Sequence, residues 1–399
     1  MDGLDFTTLI QTLEDTAPFE LVPALEAHLE ASFARSRLTF WIADYGGYTL
    51  ERLDHTRPRC SLSIASSDAG RALRTQILEV LATAEGTRVF VPVTARGEAI
   101  GVLEIDLAAE PNPDQRSHLR SLGHAFAYVV AGTRRHTDLF EWGQRSHDLN
   151  VAAEIQRRLL PAFACETGRL TLAGWVEPAF EAGGDTFDYT VDKASTLVSL
   201  TDAMGHGVGA ALLATLAIGV LRNARRRSVS LAEQVAMANR VLSGLAGGEQ
   251  YVTGVFVDVP SDGGSATAIS AGHPPPWRLR SGRAEPLVIQ PAPPLGMFEN
   301  SRYEISALDF TPGDRLVLVS DGIIDTLEAS GLGVGDLLAD TQDLHPREVV
   351  RKLTSTVTAL RDGKLRDDAT AVCIDWHSRG ENRQSAAGAD IARASLSLT

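Results

Sequence analysis

The sequence predicts a mixed α+β protein in which two domains are joined by a helix. The chain has 399 residues, which suits two or three domains. Short alternating apolar stretches that end at glycine or aspartate are typical of strands, and longer stretches with helical spacing separate them. We place an N-terminal segment at 1–14, a first domain at 15–132, a helical linker at 133–162, a second domain at 163–378 and a disordered tail at 379–399.

The composition excludes several classes of protein. Acidic residues number 51 against 37 Lys and Arg, a net charge of -14, which argues against a sequence-independent nucleic-acid binder. The three cysteines, Cys60, Cys165 and Cys373, are too few and too widely spaced for a disulfide framework or a zinc site. They indicate buried thiols in a reducing compartment.

No segment predicts a membrane protein. The N-terminus, MDGLDFTTLI, lacks the basic start and apolar core of a signal peptide. The apolar run at 208–221 is shorter than the roughly 18 residues of a membrane span, so we interpret it as a buried core helix. We therefore expect a cytoplasmic protein with no membrane partner.

The sequence of the first domain predicts strands followed by a closing helix. One hairpin is formed by LTFWIA and YTLERLD, and a second by RVFVPV and AIGVLEIDL around the turn TARGE. The stretch DQRSHLRSLGHAFAYVVAGT has apolar residues at helical spacing. The second hairpin and this helix resemble those of a GAF domain, which implies an α/β sensor or dimerisation module whose ligand is unknown.

The sequence of the linker predicts one connecting helix over 134–161. This stretch contains no turn-forming pair, and Pro161 forbids its continuation. Its simplest role is that of a spacer. Because it lies between a sensor and a second domain, it is also a candidate for transmitting a signal.

In the second domain, several predicted strands end in acids. The strand STLVSL leads to Asp202 and DRLVLVS leads to Asp321, while Asp367 precedes ATAVCIDW and Asp185 follows two glycines. Clustered carboxylates repel one another unless cations neutralise them. Oxygen ligands without cysteine or paired histidine suit magnesium or manganese rather than zinc.

A glycine-rich loop follows Asp202 and leaves an alternative open. Gly205, Gly207 and Ala210 match the spacing of a dinucleotide-binding fingerprint between a strand and a helix. That fingerprint also needs an acid about 20 residues further on. Arginines stand there instead, at 225–227.

Seven motifs follow one another over residues 150–376: AAEIQRRLLP, EAGGDTFDY, TDAMGHGVGAALL, SAGHPPP, PLGM, LVSDGIIDT and DDATAV. In this order they resemble the PPM-type (protein phosphatase 2C-like) serine/threonine phosphatases, in the bacterial branch typified by the stage II sporulation protein E and sigma-B regulator phosphatases. The resemblance implies an α-β-β-α sandwich of two antiparallel sheets flanked by helices. It also implies a water, activated by two Mn²⁺ or Mg²⁺ ions, that attacks phosphorus in line.

The resemblance assigns roles to particular residues. Asp202 would bridge the two metals, and the Ala203 carbonyl would complete one of them. Asp321 and Asp367 would hold the other metal, and Asp185 would support the first, directly or through water. Asp202 and Asp321 are the residues on which catalysis would depend.

Other residues of these motifs have less certain roles. The family often has Gly or Val at the position of Ala203 and Glu at that of Asp325, and neither change affects a side-chain ligand. We interpret Asp188 and Asp368 as structural acids and His273 as a turn-fixing residue. For His206 two roles remain possible: a general acid in catalysis, or a structural residue that packs against or caps a helix.

The resemblance also implies partners. The substrate would be a phosphorylated STAS-domain anti-sigma factor antagonist, and an upstream activator would act at the GAF domain or linker of a homodimer. No nucleic acid is expected. The alternative is a catalytically silent signalling scaffold with a sensor domain and a phosphatase-like binding fold.

Overall fold

The computed structural model describes residues 6–33, 36–54, 58–145, 149–179, 183–246 and 249–377. The predicted tail at 379–399 lies outside the described residues. The chain divides into two compact units. Of the described residues, the first unit holds those up to 145 together with 164–167, and the second holds 149–163 and those from 168 onward.

The first unit is an antiparallel sheet with helices. Its helices are α1 (Phe6–Glu14), α2 (Leu21–Glu30), α3 (Asp68–Thr75), α4 (Pro113–Thr133) and α5 (Leu139–Gln144). Its strands are β1 (Arg37–Ala43), β2 (Thr49–Arg52), β3 (Ser61–Ser63), β4 (Glu79–Thr83), β5 (Gly86–Ala95), β6 (Glu98–Leu107) and β7 (Ala164–Glu166). The first six pair in the order β3-β2-β1-β6-β5-β4, so both predicted hairpins are confirmed.

The core of this unit lies between the sheet and α4. The rings of Phe40 on β1 and Phe126 on α4 meet edge to face, with centroids 5.2 Å apart. Leu9 and Leu13 of α1 belong to the same core, so the unit begins earlier than the boundary at residue 15 that the sequence suggested. That this unit is a GAF domain stays a prediction.

The second unit is built from six helices and ten strands among its described residues. The helices are α6 (Val151–Leu159), α7 (Gly207–Arg226), α8 (Leu231–Ala246), α9 (Asp321–Ala329), α10 (Val334–Ala339) and α11 (Pro346–Leu360). The strands are β8 (Leu170–Glu177), β9 (Asp185–Val191), β10 (Ser195–Ala203), β11 (Val252–Pro260), β12 (Thr267–Ala271), β13 (Trp277–Arg280), β14 (Arg283–Pro286), β15 (Ser306–Ala307), β16 (Arg315–Val319) and β17 (Ala369–Trp376).

These strands form two antiparallel sheets with a shared core. One sheet runs β15-β12-β11-β10-β9, and the other runs β14-β13-β16-β17-β8 within this unit. Val198 and Leu200 of the first sheet share one buried cluster with Val372 and Ile374 of the second. Helices α7 and α8 cover the outer face of the first sheet, and α11 packs on β8 and β17 of the second. The predicted α-β-β-α sandwich is confirmed.

Helix α7 contains the apolar run at 208–221. Among the helices of the described ranges, it is the one whose length and composition would suffice to cross a membrane, a test that core helices also pass. Its residues Ala214, Ala217 and Ile218 are buried in the cluster that α7, α8 and the first sheet share. This agrees with the predicted core helix.

The predicted continuous helix over 134–161 is wrong. A 3-10 turn at 134–136, α5 and α6 are separate elements. Thr137 is extended, with φ -157° and ψ 147°, and it ends the first helical stretch. Asn150 is also extended, and its side chain accepts a hydrogen bond from the Ala153 N–H, which caps α6. Local polar caps therefore override the helical propensity of this stretch, although α6 does end before Pro161 as expected.

Candidate metal centre

The alternation of the strands brings acids from both sheets to one end of the shared core. On β10, Val198 and Leu200 face the core, and the next residue in that row is Asp202. Asp202 is paired directly with Asp185 of the neighbouring strand β9. In the other sheet, Asp321 follows β16 after one residue and Asp367 precedes β17 by two. The structure therefore brings together the four predicted acids.

Asp202 lies at the centre of this group. Burial, followed by repulsion from Asp321 and Asp367, raises the pKa of its carboxyl to about 7. Burial also raises the pKa of Asp321 and of Asp367, and the charge of Asp367 adds to the shift of Asp321. Asp321 and Asp367 are solvent-exposed, whereas Asp202 is half-buried. The three form a group of negative charge that is accessible to solvent.

Asp185 lies deeper than the other three. Its side chain is 2% exposed, and the Thr370 hydroxyl donates to its Oδ2 at 2.5 Å. Burial first, and then the charges of Asp202 and Asp368, raise its pKa well above the ordinary range. One of its oxygens is already bonded within the protein, so Asp185 is better placed to support a ligand than to contribute both oxygens itself.

Both carboxylate oxygens of Asp368 accept hydrogen bonds from the protein, which agrees with the structural role expected from the sequence. Its Oδ1 accepts from the Ala179 N–H at 2.8 Å, and its Oδ2 accepts from the Gly183 N–H at 3.1 Å. Gln156 of α6 donates to the same Oδ2 at 2.6 Å and to the Asp185 carbonyl at 2.7 Å. Asp368 thus ties α6 and the residues on either side of 180–182 to the site. Sequence reasoning missed Gln156, because one polar residue in a helix carries no periodic signal.

Asp188 is the second structural acid, and it lies on another face of β9. Arg222 of α7 makes a bidentate pair with it at 2.9 and 3.1 Å, and Arg225 adds a third contact at 3.1 Å. Arg222 also donates to the Leu159 carbonyl at the end of α6, at 2.7 Å. Asp188 therefore fastens α6 and α7 to the first sheet, and both of its oxygens are occupied by arginine donors.

The loop after β10 needs its glycines for backbone reasons. A Cβ on Gly184 would lie 2.1 Å from the Ala203 carbonyl oxygen, so no side chain fits there. Gly205 and Gly207 have φ +95° and +73°, in the left-handed region that favours glycine. The dinucleotide alternative is wrong, since β10 pairs antiparallel with both neighbours, whereas that fingerprint needs a parallel β-α-β unit.

The two histidines of the motifs have different surroundings. His206 is exposed, and it lies close enough to Asp367 to offset part of the rise that burial causes in the pKa of that carboxyl. Its side chain does not cap α7. His273 is buried behind the site, with Nδ1 3.0 Å from the Thr253 hydroxyl.

The donor set suits a hard divalent cation that keeps part of its water shell. Among the described residues, no group of three or more His, Cys, Asp or Glu side chains could by itself hold a metal ion. Mg²⁺ and Mn²⁺ do not need such a cage, because carboxylate and carbonyl oxygens suit them and Mg²⁺ in particular is bound by one or two carboxylates and several waters. Asp202 with Asp321, Asp367 and the Ala203 carbonyl offers that chemistry.

Comparison with known proteins finds a family match for part of the second unit. The family model described as Stage II sporulation protein E (SpoIIE) matches residues 192–377. The phosphoserine phosphatase RsbP of Bacillus subtilis is 24% identical over 235 residues, which cover 57% of this chain and 57% of RsbP. The phosphoserine phosphatase RsbU of the same organism is 22% identical over 238 residues, 57% of this chain and 69% of RsbU.

A solved structure of the PP2C phosphatase domain of SpoIIE from Bacillus subtilis, with a fragment of its regulatory domain, superposes with a TM-score of 0.47 at 20% identity. The superposed region covers 52% of this chain and 63% of the chain in that structure. The aligned region spans little more than half the length of RsbP. The matched segment of this chain nevertheless contains Asp202, Asp321 and Asp367. Residues 192–377 therefore match the family described as Stage II sporulation protein E (SpoIIE), and the chain is similar to RsbP and RsbU over 57% of its length.

Proposed function

We propose that this protein is a divalent-metal-dependent phosphatase that hydrolyses phosphoserine or phosphothreonine in a protein substrate. The observation that carries the proposal is the meeting of Asp202, Asp321 and Asp367 at one end of the sandwich, where burial and the charges of neighbouring carboxylates raise their pKa values. Such a site gains stability when cations bind, because they relieve the repulsion between the carboxylates.

The chain would hold two ions, Mn²⁺ or Mg²⁺, with Asp202 between them. Asp321 and Asp367 would complete one site, and the Ala203 carbonyl, supported by Asp185, the other. When bound, such ions activate water as a nucleophile and neutralise charge on a phosphoryl group.

The remaining residues orient these ligands. Thr370 holds the Asp185 carboxyl at 2.5 Å, beside Asp202 in the register of the sheet. Gly184 lets its strand approach the Ala203 carbonyl, as no other residue would. Asp368 and Gln156 fix the segment that leads into β9. Positioning of this kind accounts for a large part of catalysis in phosphoryl transfer.

The substrate that we propose is a phosphorylated STAS-domain protein in a partner-switching pathway that controls a sigma factor. Two relatives, RsbP and RsbU, carry the name phosphoserine phosphatase, and this supports the serine phosphate. Regulation through the first unit and α6, a homodimeric state and a cytoplasmic location are further parts of the same proposal. The silent scaffold is the less favoured alternative, since none of the predicted metal acids is missing.

The experiment is phosphate release from a phosphoserine peptide and from a phosphorylated STAS protein, with Mn²⁺, Mg²⁺ or EDTA. We expect turnover with either metal and none with EDTA. A chain that binds the STAS protein but releases no phosphate with any metal would favour the scaffold.

A further inference from the structure

His273 is a buried imidazole that the proposed mechanism leaves without a role. Its side chain is 7% exposed, and within the described residues Nε2 makes no well-formed hydrogen bond, with the Val319 carbonyl as the backbone acceptor beside the ring. Buried polar atoms without a partner are rare and call for an explanation. A turn-fixing role, as the sequence suggested, would explain the backbone at this position but not the burial of the ring.

The backbone around His273 is fixed by other groups. Gly272 has φ +70°, and a Cβ there would lie 2.6 Å from Pro294, so only glycine fits. The Ser270 hydroxyl donates to the His273 carbonyl at 3.0 Å. These contacts define the backbone of the turn after β12, so the imidazole ring is not needed to fix that turn.

The ring contacts the strand beside Asp202. Its Nδ1 lies 3.0 Å from the hydroxyl of Thr253, and Thr253 is paired directly with Asp202 in the register of β11 and β10. Directly paired residues project to the same face of a sheet, with Cβ atoms about 5 Å apart. The side chains of Asp185, Asp202 and Thr253 therefore form one row across three strands, and His273 stands at its end.

The ring also faces the other sheet. The carbonyl of Val319, the last residue of β16, lies close enough to favour protonation of the imidazole, and Asp321 follows it by two residues. Burial outweighs this effect and lowers the pKa of His273 to about 4, so the ring stays neutral at pH 7. A neutral imidazole with its proton on Nε2 accepts from Thr253 through Nδ1.

We propose that His273 is a positioning residue that spans the two sheets and sets the separation between Asp202 and Asp321. The inference rests on the proposed metal site and adds a residue that touches neither the ions nor the substrate. Partners of this kind that orient metal ligands typically change metal affinity by about 10- to 100-fold when they are removed.

The chain offers a matched control in His377. This histidine is also buried, and its Nε2 lies 2.8 Å from the hydroxyl of Thr171. It follows β17 directly, whereas the metal acids precede that strand, so it lies at the far end of the sandwich. At about 3.3 Å per residue, the eight residues of β17 separate the two ends by roughly 25 Å.

The test is a Mn²⁺ titration of the full chain by calorimetry, with thermal unfolding and turnover measured in parallel. We expect His273→Ala to raise the Mn²⁺ dissociation constant about tenfold or more. His377→Ala should lower the unfolding temperature while leaving Mn²⁺ affinity as in the wild type. Thr253→Val preserves the fold and the ring, and it should weaken Mn²⁺ binding in the same direction as His273→Ala.

Wild-type Mn²⁺ affinity in a folded His273→Ala and in Thr253→Val would overturn the inference and leave the proposed function standing. An equal loss of affinity in His377→Ala would also overturn it, since the effect would then be general destabilisation. A wild-type chain that binds no Mn²⁺ would overturn the proposed function itself.

Discussion

Two groups of aspartates lie in the motifs of the second unit, and they differ in what occupies their oxygens. Asp188 and Asp368, which we call the bonded acids, each receive three hydrogen bonds from backbone or side-chain donors. Asp202, Asp321 and Asp367, the open acids, face one another and solvent; Asp367 accepts from the neighbouring Asp368 N–H. Both groups come from the same sequence motifs.

The difference teaches that proximity to a metal motif does not make an acid a ligand. A carboxylate whose lone pairs are filled by protein donors stabilises a loop or a helix, whereas one that faces other carboxylates is electrostatically unsatisfied until a cation binds. The predictions that follow test this division, beginning with the largest effect.

The largest effect is expected for an open acid. Asp202→Asn keeps the shape of the side chain but removes the charge that the ions need. Loss of metal-assisted charge stabilisation worth several kcal/mol corresponds to a fall in turnover of about a thousandfold. Phosphate release in saturating Mn²⁺ measures it. Without metal, the unfolding temperature should be unchanged or higher, because repulsion among the acids is reduced; a clear loss of stability would contradict the division.

The next effect concerns a bonded acid. Asp368→Ala removes the acceptor of the Ala179 N–H and of the Gly183 N–H, and one of the two acceptors of the Gln156 amide, which keeps the Asp185 carbonyl. Each unsatisfied buried donor costs about 1–3 kcal/mol, and water entering the site offsets part of this, so we expect a loss of about 3 kcal/mol in unfolding free energy. Urea unfolding without metal measures it. If stability is unchanged and only Mn²⁺ binding is lost, Asp368 is a ligand.

An intermediate effect is expected from pH. The pKa of His273 is lowered to about 4 in the folded protein from 6.5, so the unfolded state binds the proton more readily. The free energy of unfolding that depends on this neutral imidazole is fully present above pH 6.5. It falls as the pH drops toward 4, because the unfolded state takes up the proton first. At pH 5 the loss is about 2 kcal/mol. The stability advantage of the wild type over His273→Asn should therefore shrink as pH falls from 7 to 5, in urea unfolding without metal. An advantage that is constant with pH would contradict a neutral buried ring.

The smallest effect is expected at Asp188. In Asp188→Asn the partners Arg222 and Arg225 keep 29% and 23% of their side chains exposed, so water replaces part of the lost pairing. We expect about 1–2 kcal/mol of destabilisation, less than for a fully buried pair. Turnover at a temperature where the variant is folded should stay within about twofold of the wild type. A thousandfold loss would place Asp188 among the open acids.

The sequence was sufficient for the acids and, through the family resemblance, for the sandwich. Apolar runs bounded by acids predict where β10 and β16 end and where β17 begins, and hence which acids meet. Contacts between distant segments are a different matter. The bond of Gln156 to Asp368 joins residues 212 positions apart, and that of Thr370 to Asp185 joins residues 185 apart. No periodic signal marks such a pair.

The linker shows where local pattern misleads. Its residues favour a helix one by one, yet the extended backbone at Thr137 and the cap at Asn150 divide it. A side-chain cap outside an expected helix end was not visible in the apolar spacing.

The most direct test of the central claim is a calorimetric Mn²⁺ titration of the wild type beside Asp202→Asn and Asp188→Asn, with all three chains shown to be folded. The account predicts binding by the wild type and by Asp188→Asn with similar affinity, and a loss of at least about tenfold in Asp202→Asn. Equal binding by Asp202→Asn and the wild type would contradict the assignment of Asp202 as the acid that holds the metals.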